Sequence, residues 1–153
     1  MHKTSKMIID YCVSNQISKI VIGKNKDWKK QINIGKINNQ NFVSIPFNSL
    51  ISKIQYKAER YGIEVIVREE SYTSKASFVD NDIIPDKYHE NEKFIFVGKR
   101  DGRNYRTQKG YIVNADLNGA ANIIRKEINL SNEDERILKN ILLENRIPKF
   151  LAP

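Results

Sequence analysis

The side chains able to do chemistry in this 153-residue chain fall into two kinds. The first is carboxylates at the ends of elements: Glu69 and Glu70 just past an apolar run, and Asp116 at the opening of an amphipathic stretch. The second is cations interleaved with aromatic rings: Lys24, Lys26, Trp28, Lys29 and Lys30, and then Arg100, Arg103, Tyr105 and Arg106. Charge beside a stacking surface suits single-stranded nucleic acid. Read alone, each stretch is equally a solvated surface. A carboxylate at a helix start is commonly an N-cap, and strand-end glutamates are commonly only solvated. Cys12 is the one cysteine, so neither an internal disulfide nor a cysteine-based zinc site can be assembled. It reads as a small buried hydrophobe. His2 and His89 are far apart in the chain.

Residues 1–62 hold 11 Lys and Arg against 3 Asp and Glu, a net +8, while 63–153 hold 15 of each. The whole basic excess therefore lies in the first part of the chain, where it would attract a polyanion. The N-terminus is too polar for a signal peptide, and no apolar run approaches the roughly 20 residues of a membrane helix. A cytoplasmic, reducing compartment fits the lone thiol.

The elements that must position these groups follow from periodicity. Met7, Ile8, Tyr11, Cys12 and Ile17 fall near helical spacing, predicting a helix over 3–15. Ile20-Val21-Ile22 reads as a buried parallel strand ending at Gly23. A long polar and basic loop fills 24–44. Pro46 suits a first turn, Phe47, Leu50, Ile51, Ile54 and Ala58 line one helical face, and Gly62 stops it. Ile63–Val67 is a second strand, so strand, helix and strand make a βαβ unit with parallel strands. Phe94–Val97 and Gly110–Val113 read as a hairpin around a basic loop. A helix opens at Asn114 and runs to about 127, and Ser131 with Asp134 forms a capping box for a last helix over 132–144.

Four blocks in order carry a family resemblance. Asn114-Ala115-Asp116-Leu117-Asn118-Gly119-Ala120-Ala121-Asn122-Ile123 resembles the segment that supplies the last catalytic aspartate of TnpB/OrfB transposon-encoded proteins. Glu69-Glu70-Ser71-Tyr72-Thr73-Ser74-Lys75-Ala76-Ser77 resembles their "ESYTSKxS" segment. Ile20–Asn25 with Trp28-Lys29, and Asn39–Phe42 with Ile45-Pro46-Phe47, are similar to one branch of the same family. The resemblance spans about residues 2–128. It implies an α/β, RNase H-like (RuvC-like) fold and membership among RNA-guided DNA endonucleases, with DNA and a guide RNA as partners. It also implies two-metal phosphodiester hydrolysis, in which carboxylates hold paired hard cations, usually Mg²⁺, about 3.5–4 Å apart.

On that resemblance, Asp116 takes the third carboxylate role. The second departs from the family pattern, because Gly23 stands where a Glu is usual. Adjacent parallel strand ends lie about 4.8 Å apart, and sites gather at carboxyl ends of strands. Glu70 is therefore expected as a relocated ligand, with Glu69 its competitor. The first aspartate has no counterpart here, since Asp10 falls on a helix. Segment 74–112 occupies the place of the family's zinc ribbon but has no CxxC pair, so a metal-free ribbon is expected. Thr73, Ser74 and Lys75 are expected to touch phosphate near the metals.

The expected organisation is a RuvC-like half-core over 1–70, a degenerate ribbon insertion over 71–113, the catalytic-Asp helix over 114–128, and a C-terminal helix and tail over 129–153. With the family's first three strands absent, the fold is incomplete. The strand Ile20–Ile22 is left with an open apolar edge, which predicts an aggregation-prone chain or one completed in trans by an upstream fragment. The functional expectation is the nucleic-acid-binding portion of a transposon-associated endonuclease, inactive alone. Whether the chain is itself an enzyme stays open, and the alternatives are a nuclease-dead DNA- or RNA-binding module or a non-functional remnant.

Overall fold

A computed structural model describes residues 1–25 and 46–144. The chain divides into two compact units between Val67 and Arg68.

The first unit is held by apolar packing. Helix α1 (His2–Ser14) buries Ser5, Ile9 and Cys12 on one stripe, the i, i+4, i+7 spacing of a single helix face. Helix α2 (Phe47–Glu59) buries Ile54 and Ala58. It ends before Gly62, whose φ of +66° a glycine adopts without strain. Ile9, Cys12, Ile54, Ala58 and Ile63 form one cluster, with Ile20, Ile22 and Val65 packed against it. Those last three come from β1 (Lys19–Gly23) and β2 (Glu64–Arg68), a two-stranded parallel sheet joined through α2. Lys57 closes the polar side of the helix pair, donating to the His2 carbonyl (2.7 Å) and the Ser5 hydroxyl (2.8 Å). The residues of β1 expected to be buried are only half-buried, and among the described residues β1 pairs with β2 alone.

The second unit corrects the expected hairpin. Phe94–Val97 is not a strand. The strands are β3 (Lys99–Asp101), β4 (Asn104–Arg106) and β5 (Ile112–Asn114), an antiparallel sheet in the order β3-β4-β5. The basic stretch read as a loop is thus itself the hairpin, with Lys99 opposite Arg106 and Asp101 opposite Asn104. Periodicity missed it because β3 is exposed throughout and each strand is three residues long. Tyr105 on β4 is fully buried and packs with Val113 and Ala115.

Helices α3 (Ala115–Glu127) and α4 (Asn132–Glu144) follow. The expected capping box at Ser131 forms: its hydroxyl accepts the Asp134 N–H at 3.1 Å. Phe78, Ala121 and Leu142 make a second apolar cluster. Where the resemblance puts a zinc ribbon, aromatic rings gather around Tyr72. Tyr88 stacks on it at 6.0 Å, and Phe94 meets it edge-on at 5.0 Å. The Tyr72 hydroxyl accepts the His89 N–H at 3.1 Å.

Candidate nucleic-acid interface

Helix α3 presents two chemically different faces. Asn114 caps its start, accepting the N–H groups of Asp116 (2.9 Å) and Leu117 (3.0 Å). Asn118 and Asn122 follow at i+4 and i+8 on the same stripe, both fully buried. The Asn118 amide donates to the Ala76 carbonyl at 2.8 Å and accepts the Phe78 N–H at 3.0 Å. The Asn122 amide donates to the Thr73 and Ala76 carbonyls at 2.9 and 2.8 Å and accepts from Arg125 at 2.8 Å. Two asparagines thus clamp the segment 73–78 through its backbone. Tyr105 adds a third bond from the sheet, donating its hydroxyl to the Lys75 carbonyl at 2.8 Å. Burial raises the pKa of this phenol, keeping it a neutral donor.

Asp116 lies off that stripe. Because Asn114 does the capping, the Asp116 carboxylate is not consumed as an N-cap. It is 72 % exposed and pairs with Arg100 of β3 at 2.9 Å. The Arg100 Nε–H donates to the Gly102 carbonyl at 3.0 Å.

Beside this pair opens a groove of about 570 Å³, lined by Ser74, Lys75, Phe96, Gly98, Lys99, Arg100 and Gly102. The structure therefore brings together three of the expected nucleic-acid contacts, Ser74, Lys75 and Arg100. The asparagine clamp fixes one wall, the hairpin supplies the other, and Phe96 adds a half-buried ring. Gly98 matters for its missing side chain: a Cβ there would lie 2.5 Å from Tyr105 Cε1 and 2.8 Å from the Arg106 carbonyl oxygen. Sequence reasoning missed Phe96 and Lys99. The signal for the clamp was present in the four-residue spacing of Asn114, Asn118 and Asn122.

The other expected contacts lie elsewhere. Thr73 is buried, and its hydroxyl donates to the Glu70 carbonyl at 2.8 Å. Arg103 and Arg106 are exposed on the hairpin. Lys24 is half-buried in the first unit, and Lys26, Trp28, Lys29 and Lys30 fall outside the described residues.

The two glutamates differ from one another. Glu69 accepts from Lys126 at 3.0 Å and from the Ser71 hydroxyl. Burial pushes its carboxyl up, but the bonds from Ser71 and Lys126 outweigh that and hold it below the usual carboxylate range. Glu70 is half-buried. Burial first, and then the adjacent Glu69 charge, raises its carboxyl against the pull of Lys126. Lys126 lies ten residues beyond Asp116 on α3, a rise of about 15 Å. Glu69 is thus tied toward one end of the helix and Asp116 stands at the other, with Glu70 adjoining Glu69. Among the described residues no group of three His, Cys, Asp or Glu side chains is placed to hold a metal ion. The described donors do not by themselves fit the paired-metal site that the resemblance implies.

A family model described as "Cas12f1-like, TNB domain" matches residues 47–123, just over half of the chain. That span takes in α2, the clamped segment, the whole groove and most of α3. No match was found among curated proteins. No described helix is long and apolar enough to cross a membrane.

Proposed function

The chain belongs to the Cas12f1-like TNB-domain family, which is related to TnpB and Cas12 proteins, and from that premise we propose that its second unit binds the phosphodiester backbone of a nucleic acid within an RNA-guided DNA endonuclease of RuvC-like fold. The observation that carries this reading is the groove lined by Lys75, Lys99 and Arg100. Lys75 comes from the clamped wall and Lys99 and Arg100 from the hairpin, and Phe96 offers a ring for a base to stack upon. Ser74 adds a hydroxyl that can donate to a phosphate oxygen. Arg103 and Arg106 extend the positive surface along the hairpin. DNA and a guide RNA are the partners that the family relation supports.

In this reading Asp116 is a carboxylate that a complete Mg²⁺ site would draw on, and Glu70 is the second one expected. The tie of Glu69 to Lys126 weighs against Glu70 sharing an ion with Asp116. We therefore assign binding, and not cleavage, to the described groove by itself. A nuclease-dead binding module is the second reading, favoured by the Arg100–Asp116 pair, which already neutralises the exposed Asp116 carboxylate.

Two assays test this. Oligonucleotide affinity should fall steeply with salt, and Lys75→Ala combined with Lys99→Ala should weaken it and flatten its salt dependence by about 1.4 for a single strand, about 0.7 per lost contact. Unchanged affinity in that double variant removes the groove from the binding surface. Incubation with Mg²⁺ and single-stranded DNA should give no cutting. Cutting that disappears in Asp116→Ala would show instead that the chain is a nuclease unaided.

A further inference from the structure

Arg100 is built to be aimed. A guanidinium carries five N–H donors in a planar fork. In this structure Nε serves the Gly102 carbonyl at 3.0 Å, and one Nη2 donor serves Asp116 at 2.9 Å. The first bond ties the side chain to the turn of its own hairpin, and the second ties it to the first turn of α3. Held at two points, the fork loses most of its freedom, while among the described residues three donors remain uncommitted. The residue lines the groove beside Lys75 and Lys99. A lysine at position 100 could supply the same charge but could not bond both anchors and still present a planar pair of donors.

We propose that Asp116 is a positioning residue for Arg100, and that the two together form a preoriented phosphate clamp at the end of the groove, acting on nucleic acid with no metal present. This rests on the reading that the groove holds nucleic acid, and it gives Asp116 a task separate from metal ligation. The pairing offsets the electrostatic cost of a carboxylate beside a polyanion, because Asp116 sets the geometry of a stronger, charge-assisted contact.

The proposal predicts the opposite sign from simple electrostatics. Removing a negative charge beside a polyanion site should tighten binding. If Asp116 aims Arg100, removing it weakens binding instead. The experiment is fluorescence anisotropy of a labelled single-stranded oligonucleotide with the full chain in EDTA. Asp116→Asn should weaken binding about three- to tenfold, and Arg100→Ala should do the same while lowering the salt slope by about 0.7. In the Arg100→Ala background, Asp116→Asn should no longer weaken binding, which a general loss of helix stability would not reproduce. Arg100→Lys keeps the charge and leaves α3 unaltered, so it stands if Asp116→Asn proves poorly folded, and it should weaken binding as Asp116→Asn does. Equal or tighter binding by Asp116→Asn, or wild-type affinity in Arg100→Lys, overturns the clamp and leaves the groove reading intact. Absence of binding by the wild-type chain overturns the groove reading and the clamp with it.

Discussion

The two units are held together by different means. In the first, Ile9, Cys12, Ile54, Ala58 and Ile63 exclude water between two helices and a sheet. In the second, the fully buried side chains include Asn118, Asn122 and Ser77, and much of the cohesion comes from side chains bonding to the backbone of one irregular segment. The difference has a physical reason. An apolar cluster needs regular elements that turn a stripe inward, whereas a segment without regular structure carries unpaired backbone groups that something must satisfy. Asparagine offers a donor and an acceptor on one short side chain, so two of them can replace a missing strand partner.

The comparison can be broken or sharpened by substitution, with the largest effect expected in the apolar unit. Ile54→Ala leaves a cavity among packed side chains and should cost about 3–4 kcal/mol in denaturant unfolding. Asn118→Leu should cost about 2–3 kcal/mol, because the Phe78 N–H and one bond to the Ala76 carbonyl lose their partner without solvent to replace it. Hydrogen exchange should show that loss concentrated in 73–78. A cost below about 1 kcal/mol would mean that the apolar contacts of Phe78 hold the second unit, and the contrast between units would collapse. Tyr72→Ala removes the ring on which Tyr88 and Phe94 pack and should cost about 1–2 kcal/mol, read as faster proteolysis within 83–97.

The smallest effects are electrostatic and opposite in sign. Glu69 has a depressed folded pKa, so its contribution is present above the ordinary carboxylate value and is lost as pH falls through the folded one. Glu69→Gln should flatten the acid limb of a stability–pH curve. Glu70 has a raised pKa, so its ionisation costs stability as pH rises. Glu70→Gln should therefore raise the midpoint at neutral pH, by less than about 1 kcal/mol since the group is only half-buried. A drop in that midpoint would show that the contacts of the Glu70 carboxylate outweigh the cost of its burial.

What the sequence disclosed divides along the same line. Helix α2 was legible because Leu50, Ile54 and Ala58 recur at helical spacing, and the start of α4 because Ser131 and Asp134 sit three apart. The span of α1 was legible too, but its face was misread: Met7 and Tyr11 are exposed, and Ser5, Ile9 and Cys12 are the buried stripe. The β3–β4 hairpin was not, since exposed cations with one buried tyrosine give no alternation to read. The aromatic pattern of Phe94 and Phe96 imitated a strand, but those rings face Tyr72 from an irregular segment without ladder pairing. At the site, Asp116, Ser74, Lys75 and Arg100 were named from sequence. Their meeting was not, because it depends on bonds from Asn118, Asn122 and Tyr105 to backbone atoms, and those leave no apolar signature.

Gly98 carries a consequence for how this protein can vary. Its neighbours Val97 and Lys99 are both exposed, so their side chains can be replaced without disturbing the packing beneath them. At position 98 even alanine would press on a buried tyrosine ring and a strand carbonyl that have nowhere to go. A survey of every substitution at 97–99, scored by resistance to proteolysis, should thus show one intolerant column between two permissive ones. Drift in the hairpin's charges can retune which strand the groove prefers, but the floor beneath them is fixed by an atom that is not there.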